Sequence, residues 1–293
     1  MLRVLLAVFF AAMWTASAAA VPHSTLRAQR TSPGDLEVGG ELAGLPAGST
    51  RYVRYQDLLQ LPQETWRVSD DTNLERGTII SGVALTTLAR LFGQSPDSTL
   101  IVAICYDRYR TNYPLDYLAV HHPLLVLRID GRLRDQWRRS TGGDSLAPYL
   151  ISHPFFTPAF QVLSHQDEPQ IPYGVRRLEF RRESTVFGAI RPPGNWPAGS
   201  PVEQGYRIAR QDCFRCHNRG AEGGRMAGKS WNDLARMAQS DAARFMRIIR
   251  DPSSVNARAK MPGEPGYDRA TLEALTAYFK TFAPPTRTSQ EKP

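Results

Sequence analysis

Apolar positions along the 293-residue chain follow two different rules. From about 49 to 183 they come in short runs and alternations separated by turn residues, whereas from 201 to 285 they recur at helical spacing. In the first region Thr65-Trp66-Arg67-Val68, the run 100–105, the run 124–129 ahead of Asp130-Gly131, and 175–180 read as strands. Residues 55–62 read as a short helix closed by Pro62, and Leu85, Leu88 and Leu91 predict a helix over 82–91 that ends near Gly93. The pattern predicts two domains: an α+β domain in which strands predominate (49–183), and an all-α domain (201–285). Residues 184–200 hold three prolines and three glycines and read as a linker. Residues 21–48 read as a loose leader and 286–293 as a polar tail.

The N-terminus follows neither rule. Arg3 precedes an apolar stretch over 4–14, followed by Thr15-Ala16-Ser17-Ala18-Ala19-Ala20. A short positive region, an apolar core and small residues at A-x-A spacing form the anatomy of a secretory signal over 1–20. Left uncleaved it would act as a membrane anchor. No internal apolar run approaches the roughly 18–20 residues needed to span a bilayer, so no stable span is expected after cleavage.

Composition refines this picture only modestly. At 42% hydrophobic and 22% charged, the chain has the make-up of a folded globular protein. Its formal charge of +8 is uneven: from residue 200 onward there are 16 Lys+Arg against 10 Asp+Glu, a balance of +6, which leaves +2 for the rest. That asymmetry favours steering towards an acidic protein partner. The basic residues are scattered and the chain is read as exported, so nucleic acid is not an expected partner.

The chemistry concentrates in Cys213-Phe214-Arg215-Cys216-His217. This C-x-x-C-H spacing sets two thiols and an imidazole within about one and a half helical turns, which is what covalent attachment of a c-type haem requires. A zinc site would need a second ligand pair, and the one remaining cysteine is Cys105, inside the apolar run 100–105, where it reads as a core thiol. His217 is the proximal iron ligand of this reading. No histidine follows it, so the opposite axial position falls to Met226, Met237, Met246 or Met261. Met237 and Met246 lie at helical spacing, Met226 in a Gly-rich loop, and Met261 in the loop Ala259-Lys260-Met261-Pro262-Gly263.

The whole of 201–284 resembles the class I cytochrome c domain. Gly205-Tyr206 is similar to the small-plus-aromatic pair of that family's first helix, which packs against the last. Residues 271–280 resemble the last helix, and 245–252 the middle helix running into its proline. The loop around Met261 is similar to the axial-methionine loop, so the resemblance implies His217 and Met261 as the axial pair, with Cys213 and Cys216 holding one haem c. Gly228-Lys229-Ser230-Trp231 stands where many members have Gly-Pro, whose carbonyl accepts a hydrogen bond from the proximal imidazole. Lys229 offers a carbonyl there from a loop without the proline.

Residues 49–183 resemble, in order of segments, the molybdopterin-binding domain of the sulfite oxidase family. The matching pieces are 55–62, 77–85, 106–115, 124–131 and 173–180. In that family a cysteine in the loop before the Gly-Val-Ala-Leu-like helix binds molybdenum; here 68–77 contains none, and Cys105 lies in a later strand. Molybdopterin is therefore not expected. His121-His122 read as loop or surface residues in an extended segment, pointing to opposite faces. Together these features describe a periplasmic cytochrome carrying single electrons to or from a redox protein partner, with an N-terminal domain for docking or ligand binding. No catalytic residue is assigned. The competing reading is a molybdopterin-dependent oxidoreductase passing electrons to its own haem.

Overall fold

The computed structural model describes residues 26–140 and 142–284; the segment read as a signal, 1–20, and the tail 286–293 lie outside the described residues. The N-terminal region comprises β1 (Leu36–Gly40), β2 (Thr50–Val53), α1 (Tyr55–Leu58), β3 (Glu64–Val68), β4 (Thr78–Ala84), α2 (Leu85–Leu91) and β5 (Leu100–Cys105). It continues through β6 (Arg110–Pro114), α3 (Leu115–His121), β7 (Leu124–Ile129), β8 (Leu150–Ser152), the two-residue β9 (Gln161–Val162) and β10 (His165–Gln166), and β11 (Val175–Arg181). Nine of these strands form two sheets, ordered β2-β1-β11-β5-β6 and β3-β4-β7-β8, and β9 and β10 pair separately; β1 and β11 are parallel and all other neighbours antiparallel.

Two expectations are corrected here. Residues 21–48 are not all loose: Leu36 and Val38 are fully buried in β1, between β2 and β11, because their alternation supplies one apolar face to the sheet. The helix predicted over 82–91 begins only at Leu85, since Gly82, Val83 and Ala84 pair with β7 and their backbone groups are already satisfied there.

The C-terminal region contains α4 (Glu183–Gly188), α5 (Pro201–Gln211), α6 (Cys213–Cys216), the small hairpin β12 (Asn218–Arg219) and β13 (Glu222–Gly223), α7 (Trp231–Ser240), α8 (Ala242–Arg250), α9 (Pro252–Val255) and α10 (Arg269–Lys280). Side chains cap the longer helices: Ser200 accepts from Glu203 N–H, Asp241 from Arg244 N–H, and Asp268 from Thr271 N–H. Helices α5 and α10 cross so closely that a Cβ on Gly205 would lie 2.2 Å from the Ala274 carbonyl oxygen. Only glycine fits there, and the adjacent Tyr206 packs its ring 5.9 Å from Tyr278. The fold is thus a strand-rich α+β region followed by a helical domain.

Strand β5 joins the two. Its Ile101, Ala103 and Cys105 face the core between the N-terminal sheets, while Leu100, Val102 and Ile104 face the helical domain and share a cluster with Val202, Tyr206 and Phe214. All six side chains are buried, which is why the run carries no polar alternation. Each side chain turned to the second domain contributes roughly 1.5–3 kcal/mol of burial. The proposed linker 184–200 takes part as well. Val186, Phe187 and Ile190 are buried in the same cluster, and the Ile190 carbonyl accepts from Tyr278 Oη at 2.5 Å. Three apolar side chains outweigh the turn residues around them, so the segment packs as a wedge. Among the described residues no helix is long and apolar enough to cross a membrane.

Candidate functional site

The site is built on the single turn of α6. Cys213 and Cys216, three residues apart, lie on one side of it, while Phe214 drives into the core against Trp231 and Phe187, with ring centroids 5.5 and 6.3 Å away. Arg215 turns to the other domain, where it pairs with Glu168 at 2.9 Å, and it also pairs with Asp212. Both residues between the cysteines therefore anchor the turn. The loop after β13 presses on it too: a Cβ on Gly224 would lie 1.7 Å from the Arg215 carbonyl oxygen, so only glycine passes.

Burial pushes the Cys213 thiol well above the ordinary range and the Cys216 thiol up to about 11, with Asp212 adding to the rise at both. Their pKa values are raised, whereas the nucleophilic thiol of a reactive dithiol pair has its pKa lowered. His217 leaves the turn in an extended conformation and is buried. Burial also lowers its pKa, opposed by the Lys229 carbonyl and Asp233, so the imidazole is neutral at pH 7. Its Nδ1–H donates to the Lys229 carbonyl at 2.6 Å. That bond fixes the tautomer and leaves Nε2 with a lone pair, the form a metal ligand needs.

The loop lacking proline is held by other means. Ser230 N–H and Oγ–H both donate to Asp233 Oδ2 at 2.7 Å, and Asp233 N–H donates back to Ser230 Oγ. This reciprocal box starts α7 and fixes the peptide bearing the Lys229 carbonyl. Of the four methionines weighed from sequence, Met237 and Met246 pack against the helical core. Met226 and Met261 are loop residues at 41% and 38% exposure. The Met261 loop runs on to Glu264, whose N–H donates to the Ile249 carbonyl and whose carboxylate lies close enough to influence the Cys213 thiol.

Several residues of the N-terminal domain reach this turn, none of them marked for it in the sequence. Tyr109 lies beside Arg215 and Cys216, its phenol pushed up to about 12 by burial. His165 Nδ1 lies 2.7 Å from Tyr267 Oη, which donates to Asp212, and His165 Nε2 lies 2.5 Å from Gln211 Oε1. His165, Glu168 and Asp212 bring their ligand atoms within 4.8 Å of one another. The Arg215 guanidinium and the Tyr267 hydroxyl occupy the carboxylates, making the cluster an ion-paired network. Burial and repulsion from Asp212 and Glu168 raise Glu264 beside it to about 7. His121 and His122 are not in an extended segment: His121 closes α3 buried against Asp167 at 2.9 Å, while His122 is exposed in a left-handed conformation. The αL residue after the helix turns the two rings apart. Cys105 is buried in the N-terminal core, its thiol pushed up by desolvation, as a core thiol should be.

Residues 200–279 match the family described as cytochrome c oxidase, cbb3-type, subunit III. The C-terminal domain is a cytochrome c domain. It carries covalently bound haem c, which fits the donor set of α6 and supports electron transfer via the haem. No curated protein matches the chain. Among solved structures, the sulfane dehydrogenase SoxCD from Paracoccus pantotrophus is similar over 53% of this chain, with 15% identity and a TM-score of 0.35. The match spans only 40% of that chain's length.

Proposed function

We propose that the protein is an exported, periplasmic electron carrier with Cys213 and Cys216 as the thioether residues and His217 and Met261 as the axial ligands of one haem c. The observation that carries this reading is the 2.6 Å bond from His217 Nδ1–H to the Lys229 carbonyl, which directs Nε2 away as the ligand atom. When bound, the haem supplies a one-electron couple, and a His/Met pair fills both iron positions and favours a raised potential. The chain's own residues do the rest. Phe214 and Arg215 hold the attachment turn, the Ser230–Asp233 box orients His217, and the N-terminal domain covers one side of the site. Partner approach is thereby confined to the basic remainder of the helical domain, which suits an acidic redox protein.

Molybdopterin does not fit the N-terminal domain. The loop between β3 and β4 offers Asp70, Asp71 and Glu75 but no thiol, and Cys105 is turned into the core. We assign that domain a docking role. The axial assignment is tested on oxidised protein: Met261→Ala should abolish the sulfur-to-iron charge-transfer band while Met226→Ala leaves it. The opposite result would transfer the ligand to Met226.

A further inference from the structure

A cavity of about 160 Å³ lies between the two domains, away from the thiols, with α3 and the 159–170 segment on one side and α5 on the other. We infer that this cavity is a binding site for a small monocarboxylate with a flat apolar body. Its volume is about that of an apolar cavity known to hold benzene. Phe160, Phe187 and Val120 supply apolar surface.

The charge of the site decides the class of ligand. Asp167, the buried carboxylate on the wall, is saturated: Oδ2 accepts from His121 Nε2–H at 2.9 Å and Ala159 N–H at 3.1 Å, and Oδ1 accepts from Gln211 Nε2–H. It has no call for a cationic ligand. Asp116 sits exposed at the rim and accepts from Tyr117 N–H. Opposite stand Arg207 and Arg210, one helical turn apart on α5, their guanidinium carbons 5.6 Å from the Phe160 centroid and 4.6 Å from the Phe187 centroid. Arg210 pairs with Glu183 at 3.2 Å. Arg207 has no carboxylate within ion-pairing distance among the described residues. Exposed at the cavity's edge and held over Phe160, with no hydrogen bond to another described residue, it presents the planar fork that a carboxylate engages in two parallel hydrogen bonds. The aromatic rings beneath the two guanidinium groups then face the ligand body.

Both domains are needed: neither wall encloses the space alone, and β5 keeps the walls in fixed register. Gln211 lines the cavity two residues before Cys213, yet binding does not depend on the haem ligands and can be measured apart from them.

Calorimetric titration of the purified holoprotein with benzoate tests the site. Saturable one-to-one binding is expected, weakened about tenfold or more by Arg207→Ala, as loss of a charge-assisted hydrogen bond implies. Val120→Trp, which narrows the mouth without adding or removing a charge, should abolish it. Benzyl alcohol, equal in shape but uncharged, should bind at least about tenfold more weakly than benzoate. Absence of saturable benzoate binding, equal binding by wild type and Arg207→Ala, or equal binding of the two probes would each overturn the assignment.

Discussion

The two ends of the proposed haem-attachment site obey different physics. On the helical side, Cys213, Cys216 and His217 lie within five residues, and their relation is dictated by one helical turn and by covalent chemistry. On the N-terminal side, Tyr109, His165 and Glu168 reach this turn and the residues just before it from strands and loops, through contacts made by tertiary packing. Chemistry that must be reliable is encoded locally, while the surroundings that tune it come from distant segments. A domain without a catalytic motif of its own can in this way take part in the electron-transfer centre.

The comparison can be broken most severely at the local end. A Cys213→Ala/Cys216→Ala double variant should lose all covalently bound haem, read as absence of haem stain on a denaturing gel. Haem that persists through denaturation would refute the attachment site. The next largest effect concerns the seam. Leu100→Ala and Ile101→Ala remove adjacent side chains from opposite faces of β5 and should each cost about 2–5 kcal/mol. Because the faces belong to different clusters on one strand, both should lower a single unfolding transition in calorimetry. Two separate transitions, each shifted by only one variant, would show that the domains unfold independently.

Smaller effects sharpen the picture at His217. Asp233→Ala removes the partner that fixes Ser230 and should cost about 1 kcal/mol of stability. With the Lys229 carbonyl less well placed, His217 becomes a weaker donor to iron, so the midpoint potential should rise; an unchanged potential would deny Asp233 that positioning role. The smallest effect is expected from Glu264. Its raised pKa means that the folded state holds a proton that the unfolded chain releases between about 4.5 and 7. Over that window stability falls as pH rises. The same deprotonation places a negative charge near the haem and lowers the potential. Glu264→Gln should flatten both slopes, measured by denaturation and redox titration at pH 5 to 8.

Much of this was legible in the chain. The C-x-x-C-H motif, Gly205-Tyr206 at the α5–α10 crossing, and the strands read at 65–68, 100–105, 124–129 and 175–180, each found to within a residue, follow from local spacing. The Lys229 loop shows where family pattern misleads. The proline is missing, but Ser230 and Asp233, three residues apart, form a box that holds the loop in its place. That signal was present in sequence and is a recognisable helix start. Residues 184–200 mislead in the other direction: their prolines and glycines read as a linker, while Val186, Phe187 and Ile190 are the residues that decide their position.

The sequence by itself determined the cofactor chemistry, the helical character of the second domain and the strand-rich character of the first. Each depends on residues near one another in the chain, where turn geometry and side-chain period leave few alternatives. Only the tertiary structure decided that β5 is covered on both faces by different domains, that His121 is a buried partner of Asp167, and that α5 and α3 enclose a cavity. An apolar run states that a strand is buried but not what buries it. A histidine or arginine likewise carries no mark of the distant carboxylate it meets, or fails to meet, once the chain has packed.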